Sequence, residues 1–272
     1  MYNTFAYVYD EFMENVPYED WAFMLRDILR DHNIDDGLLL DLGCGTGTLT
    51  RLMAEHGYDM TGVDISADML TVAREYESAE DEYPEDAGLP EDPEALEYGD
   101  SPVGKILYLC QDMREFELYG TVRAVYSLCD CLNYITEYDD LVKVFKLVNN
   151  YLDPGGIFIF DLNTIYKFKE QLGDKTFAEN GEDASFIWEN HYDDSTHINE
   201  YDLTLFLEDV DGKYLKETEL HRQKGYTVDE IKKALEEAGL IFESVCDEET
   251  LNGVTQTTQR ILVVARESGK TA

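Results

Sequence analysis

The stretch Leu38–Thr50, LLLDLGCGTGTLT, decides the fold. Its first half, Leu38 to Leu40, is a short apolar run after Asp35-Asp36-Gly37, which is how a strand buried on both faces reads. Its second half opens a helical pattern over Thr46–Glu55, with Leu49, Leu52 and Met53 on one side. Gly43, Gly45 and Gly47 therefore lie between a strand and a helix. A turn that tight needs backbone angles and close approaches that glycine permits. The helix start leaves N–H groups facing the loop, where a ligand's polar groups can dock. A glycine turn with no ligand would read the same way, so the spacing has to narrow the choice. A dinucleotide fingerprint is G-x-G-x-x-G; here the third glycine comes one residue early, and Asp41 stands two before the first. A P-loop fails, because no Gly-Lys-Ser/Thr follows.

The next segment outward, Asp59–Ile65 (DMTGVDI), reads as a second strand with Asp64 at its carboxyl end. Open doubly wound sheets bind ligands outside the carboxyl ends of their strands. A carboxylate there can accept two hydrogen bonds from a ribose diol. The offset from Gly43 to Asp64 is 64 − 43 = 21 residues, the distance at which such folds place this acid. The competing reading is an N-cap for the helix Ala67–Tyr76, a task for which Ser66 is equally suited. Strand, glycine loop, helix, strand and acid together point to a nucleoside ligand.

Asp41–Gly47 (DLGCGTG) resembles motif I of the class I S-adenosylmethionine (SAM) dependent methyltransferases, and Val63–Leu70 (VDISADML) their second motif. Leu109–Arg114 (LCQDMR) is similar to their adenine-holding segment, Val125–Tyr134 (VYSLCDCLNY) to motif IV, and Leu152–Asp161 (LDPGGIFIFD) to the fifth-strand motif. The order holds from Ala6 to Arg266. Within the superfamily, the opening YNTFAYVYDEFM and the long segment after Asp161 are most similar to small bacterial methyltransferases that carry a β-sheet lid, distantly glycine N-methyltransferase-like. The implied fold is α/β: a Rossmann-like, doubly wound, seven-stranded sheet with an inserted antiparallel β lid. The implied division is residues 1–163 for helical cover and cofactor core, 164–226 for the lid, and 227–272 for the rest of the core.

The resemblance also implies roles. Gly43, Cys44 and Gly45 would admit the methionine end of SAM, with Asp41 beneath the loop and Asp64 on the ribose. Ile65 and Met69 would sandwich the adenine, Asp112 and the Met113 N–H would read its edge, and Tyr9 would lie against the cofactor, an aromatic face favouring a sulfonium. Leu128 and Cys129 would close strand four near the methyl. Asp112 has a second reading as the cap of a helix over Met113–Glu117. Some relatives carry an N/D-P-P-Y/F signature where this chain has Asp130-Cys131-Leu132-Asn133-Tyr134, a departure that counts against DNA-adenine-type chemistry. Asn133, Tyr134, Trp188, His191, His221, Arg222 and Tyr226 are the acceptor-side candidates. Among them His221 is the candidate general base, because imidazole titrates near neutrality; a lone strand histidine is as readily structural.

The net charge of −38 argues against affinity built on phosphate contacts, and no basic patch is visible, so a small-molecule acceptor is favoured over nucleic acid. No apolar run reaches membrane-spanning length, no signal peptide is expected, and no metal-ligand set is present. Cys44, Cys110, Cys129, Cys131 and Cys246 read as reduced thiols of a cytoplasmic protein, with Cys129 and Cys131 on one face of a strand. Residues 77–104 hold eleven Asp or Glu, no Lys or Arg, and four of the six prolines, and read as an exposed insertion. Oligomeric state leaves no trace in the sequence. The expected reaction is methyl transfer from SAM to N or O, leaving S-adenosylhomocysteine. The alternatives are a SAM- or nucleoside-binding regulatory protein without turnover, and an RNA or protein methyltransferase.

Overall fold

The computed structural model describes residues 5–80, 103–181, 184–208 and 212–270. Most of the acidic segment, residues 81–102, lies outside them. The chain forms two compact units: Met1–Glu117 with Val122–Val125, and Leu118–Thr121 with Tyr126–Ala272.

The first unit opens with helices α1 (Phe5–Phe12) and α2 (Tyr18–Asp31). Helix α2 buries Trp21, Ala22, Leu25 and Leu29, the i, i+1, i+4, i+8 stripe of an amphipathic helix, and carries Glu19 and Asp20 at its positive end. Strand β1 (Leu38–Leu42) leads through the glycines into α3 (Thr48–Glu55), two residues later than its spacing suggests. Strand β2 (Asp59–Asp64), helix α4 (Ala67–Glu80) and strand β3 (Ile106–Cys110) follow. β1 pairs with β2, and β2 with β3, all parallel. Leu39, Leu40, Leu42, Met60 and Val63 are essentially fully buried, as strands covered on both faces require.

Strand β4 (Val122–Ser127) ends in a short 3₁₀ helix, Cys131–Tyr134. In the second unit, α5 (Tyr138–Tyr151) runs straight into β5 (Leu152–Asn163), which is longer at both ends than its apolar run Gly156–Asp161. A π-helical turn at Lys167–Leu172 precedes β6 (Thr176–Asn180), β7 (Ala184–Asp193), β8 (Ile198–Glu208) and β9 (Tyr214–Lys224). These four strands make a separate antiparallel sheet in sequence order. Helix α6 (Val228–Glu237) starts with a full capping box between Thr227 and Glu230, and the left-handed Gly239 follows its end. Strands β10 (Leu240–Asp247) and β11 (Arg260–Glu267) close the chain, β11 running antiparallel to both β10 and β5. The larger sheet has the order β10-β11-β5-β4-β1-β2-β3, the expected seven-stranded Rossmann-like sheet, and the antiparallel sheet is separate from it.

Two local expectations are corrected. Cys129 and Cys131 do not share a strand face: the strand stops at Ser127, Cys129 is left-handed (φ 65°), and Cys131 is in the 3₁₀ helix. Nor does a helix start after Asp112. Asp112–Glu115 form a turn closed by Glu115 N–H donating to Asp112 C=O, 2.9 Å, with Arg114 folded back onto the Asp112 carboxylate (Nη2–Oδ2 2.5 Å).

Candidate functional site

In the first unit, the glycine loop is anchored through the N–H groups of its first three residues. Gly43 and Cys44 both donate N–H to Val63 C=O (2.7 and 3.1 Å), which ties the loop to the end of β2. Gly45 donates N–H to Asp64 Oδ2 at 2.9 Å, and Ser66 donates to Asp64 Oδ1 at 2.8 Å. One carboxylate thus fixes both the loop and the start of α4, while Ser66 Oγ caps α4 by accepting from Met69 N–H. Burial raises the Asp64 carboxyl above its ordinary range, and the Ser66, Gly45 and Ile65 amides pull it back. Below the loop, buried Asp41 accepts from Thr50 Oγ1 at 2.6 Å, joining β1 to α3.

Gly43, Gly45 and Gly47 all have positive φ. Gly45 (φ 54°) has nothing within 4 Å of where a side chain would begin, so its outer side is open. Gly47 is opposite in character: a Cβ there would overlap the buried Tyr108 hydroxyl. Gly47→Ala combines that clash with a left-handed backbone costing about 1–2 kcal/mol in any L-residue. The variant is expected to lose at least about 2 kcal/mol in urea unfolding; an unchanged midpoint would mean that Tyr108 swings aside freely.

Sequence reading missed how the first helix is held. Thr46 Oγ1 in the loop donates to Asp10 Oδ1 at 2.7 Å, Tyr76 hydrogen-bonds the same carboxylate, and the Arg51 guanidinium lies 4.7 Å over the Tyr76 ring. The signal was the acid beside Tyr9, which is half-buried on the same helix. Ile65 stands 68 % exposed beside half-buried Met69. Cys44 turns the other way, its side chain packing against Leu70, Ala73 and Tyr108; burial, with Asp41 and Asp64 nearby, holds it as a thiol. Asp112 is drawn to Arg114, and Met113 is half-buried on the same turn.

In the second unit, the turn after β4 carries two consecutive left-handed residues, Cys129 (φ 65°) and Asp130 (φ 52°). Non-glycine residues persist there only when their surroundings enforce it. Here Asp130 N–H donates to Asp161 Oδ1 at 2.8 Å, and its carboxylate accepts from Arg260 Nη2 (2.8 Å) and Gln223 Nε2 (2.5 Å). Arg260 Nη1 also bonds Asp161, which is wholly buried at the end of β5. Burial pushes Asp161 up to about 6 against the pull of Arg260, and depresses Lys167 nearby. Buried Leu128 precedes this turn.

The acceptor-side candidates separate. Trp188, Tyr134 and His221 come together with Tyr201: the Tyr201 and His221 rings stack at 4.8 Å and 11°, Trp188 meets Tyr201 edge-on at 5.3 Å, and Tyr134 meets His221 edge-on at 5.8 Å. Arg222 and His191 do not join them. The register pairs Tyr201 with His221, and Glu200 with both His191 and Arg222, which puts Arg222 and His191 on the other face. There they pair with Glu200 (2.7 Å) and Asp174 (3.3 Å). Asn133 is buried and fully used: Nδ2 donates to the Asn163 and Lys224 carbonyls, and Oδ1 accepts from Asn163 N–H. It holds backbone rather than lining a cavity. Tyr226 is buried, its hydroxyl donating to the Ile135 carbonyl.

Residues 9–245 match a family described as a methyltransferase domain. A protein of Geobacillus sp. (strain WCH70), provisionally named a methyltransferase, is 31 % identical over 98 % of this chain and 99 % of its own length. A dTDP-3-amino-3,4,6-trideoxy-alpha-D-glucopyranose N,N-dimethyltransferase of Streptomyces venezuelae is 28 % identical over 57 % of this chain and 56 % of its own. A crystal structure of an S-adenosylmethionine-dependent methyltransferase from Clostridium acetobutylicum ATCC 824 superposes with a TM-score of 0.81 at 27 % identity, covering 98 % and 99 % of the two chains.

Proposed function

Because this chain belongs to the class I SAM-dependent methyltransferases, we propose that it moves the SAM methyl to a nitrogen or oxygen of a small molecule in the cytoplasm. The observation that carries the cofactor half is the glycine loop whose Gly45 N–H is locked to the Asp64 carboxylate, with Gly45 open on its outer side. The residues suit the group. Gly45, open on its outer side, leaves room for the methionine end beside Gly43, Asp41 holds the loop from below, and Asp64 keeps lone pairs for a ribose diol. Exposed Ile65 with Met69 suits an adenine face; Asp112, once drawn off Arg114, and the Met113 N–H suit its edge; Tyr9 suits the sulfonium.

When bound, SAM supplies an electrophilic methyl carbon activated by the adjacent cationic sulfur. The chain's own task is then to align the acceptor in line and to exclude water. The four-stranded sheet of residues 176–224 is the proposed acceptor-side lid, with Tyr134, Trp188 and His221 on its aromatic face. Support for a small molecule comes from the amino-sugar relative and from the charge of −38, which disfavours a polyanionic RNA partner. No helix among the described residues is long and apolar enough to cross a membrane.

Titration calorimetry tests the reading. SAM and S-adenosylhomocysteine should bind at micromolar Kd and NAD should not. A preference for NAD, or no SAM binding, would overturn it.

A further inference from the structure

Four residues of the first unit close a ring at the glycine loop. Thr46 Oγ1, in the loop, donates to Asp10 Oδ1 at 2.7 Å, and the Tyr76 hydroxyl of α4 donates to the same carboxylate. Arg51 of α3 donates from Nη1 to the Thr46 carbonyl at 2.8 Å and from Nη2 to Thr48 Oγ1 at 3.3 Å, and its guanidinium lies 4.7 Å over the Tyr76 ring. Thr46, Arg51 and Tyr76 belong to the loop, α3 and α4. Asp10 alone comes from α1.

The loop side of this contact is fixed without α1. Gly45 N–H is held by Asp64, Gly47 N–H by the Cys44 carbonyl at 2.9 Å, and the Thr46 carbonyl by Arg51. The α1 side is held differently. Eight residues are too few for a helix to persist in water on its own, so α1 depends on what it docks against. Of its described side chains, Ala6 is buried, Tyr9, Asp10 and Phe12 are half-buried and Glu11 is exposed, whereas α2 buries four. Between the two helices lies the turn Met13–Pro17, and Pro17, with no N–H to donate, keeps them from merging into one. α1 meets the loop next to its open side. Thr46 is 2 % exposed, yet its neighbour Gly45 has nothing within 4 Å of where a side chain would begin. A cofactor seated against Gly45 therefore lies one residue from the tie between loop and helix.

Resting on the methyltransferase reading above, we propose that α1 is a hinged gate on the cofactor loop, latched by Asp10 on Thr46 and Tyr76. Opening breaks the two hydrogen bonds to Asp10 and moves α1 about Met13–Pro17. SAM enters and S-adenosylhomocysteine leaves through the open form, and the latch re-forms over the bound cofactor. The latch bonds are the same in the free and the loaded protein. They set how fast the cofactor exchanges and not how tightly it is held, because an interaction equal in both states shifts no binding equilibrium.

Exchange of tritiated SAM on the full chain, followed by rapid filtration, separates a gate from a brace that only shapes the loop. Asp10→Ala should raise the association and dissociation rate constants together, each about 10-fold or more, the scale of losing hydrogen bonds to a carboxylate. The Kd should move less than about threefold. A brace would raise the dissociation rate alone and weaken the Kd in proportion. Adding Thr46→Val to Asp10→Ala should speed exchange no more than about twofold further, because the bond they share is already gone. Tyr76→Phe keeps the ring beneath Arg51 at a site 40 % exposed, so it leaves the fold intact; it should raise both rates about threefold or more. Where Asp10→Ala fails to fold, Tyr76→Phe decides by the same criterion. Hydrogen exchange of the free chain gives a readout without cofactor: the α1 amides should exchange at least about 10-fold faster in Asp10→Ala, and those of α2 should not change. Unchanged rates in Asp10→Ala, or a dissociation rate that rises alone, would overturn the gate and leave the methyltransferase reading standing. No SAM binding by the wild type would overturn that reading, and the gate with it.

Discussion

Replacing Asp64 with alanine should weaken SAM binding about 100-fold or more in titration calorimetry. Two charge-assisted hydrogen bonds to a ribose diol are lost, each worth roughly 1.5–3 kcal/mol. The loss is compounded inside the free protein. Asp64 holds the Gly45 N–H on one oxygen and the Ser66 N–H on the other, so the alanine variant also unpins the glycine loop from the start of α4. Asp64→Asn separates these effects. An amide oxygen can still take one of the two backbone N–H groups, but the charge is gone, so binding should fall roughly 10-fold. S-adenosylhomocysteine should suffer as SAM does in both variants, because the ribose is common to the two and only the sulfonium differs. A loss for SAM alone would place Asp64 near the sulfur and refute the ribose assignment. Alanine binding as tightly as wild type would remove Asp64 from the site altogether.

The parts legible in the sequence are those in which a local pattern sets local structure. Leu38–Leu42 is apolar but for Asp41 and flanked by glycine, so a buried strand fits it best. Asp64 is an acid closing an apolar strand, which is costly unless the acid is used. What escaped has three physical causes. Strand β6, TFAEN, is exposed at every position and carries no periodicity; it exists because β7 offers it a partner, not because its side chains demand a sheet. The left-handed backbone at Cys129 and Asp130 opposes their propensities and is imposed from residues about thirty and 130 positions away, Asp161 and Arg260. Such long-range electrostatics leave no local mark. The grouping of Arg222 with His221 is different, because adjacent residues of one strand face opposite ways and the period of two already separated them. Asn133 looked like a cavity residue because it is polar beside a motif; its burial among three backbone partners is a tertiary fact.

Arg260→Leu should destabilise the protein by about 3–5 kcal/mol near neutral pH, the usual cost of orphaning a buried charge. Arg260 neutralises two carboxylates at once, Asp130 and Asp161, and leucine leaves both facing each other around the same backbone N–H. The pH dependence identifies the cause. In the wild type, burial already raises Asp161 to about 6, above its unfolded value of 3.8. A group raised on folding contributes stability that is complete below the unfolded value and is lost as pH rises through the folded one. Removing the guanidinium raises Asp161 further and widens that window upward. The variant's deficit in urea unfolding should therefore be large at pH 7.5 and shrink on acidification toward pH 5, where the orphaned acids take up protons. A deficit constant over that range would mean that lost packing, not charge, is the cause. The compensated double variant Arg260→Leu/Asp161→Asn should recover much of the loss at pH 7.5, because an amide can still accept the Asp130 N–H. Function should not recover with it. Asp130 would remain without its Arg260 partner, and the left-handed Cys129–Asp130 turn would lose the ion pair that enforces it, so methyl transfer from SAM should stay at least about 10-fold down while SAM binding at the glycine loop persists. Full recovery of both stability and turnover would show that the turn holds its own shape and that Arg260 serves only to neutralise Asp161.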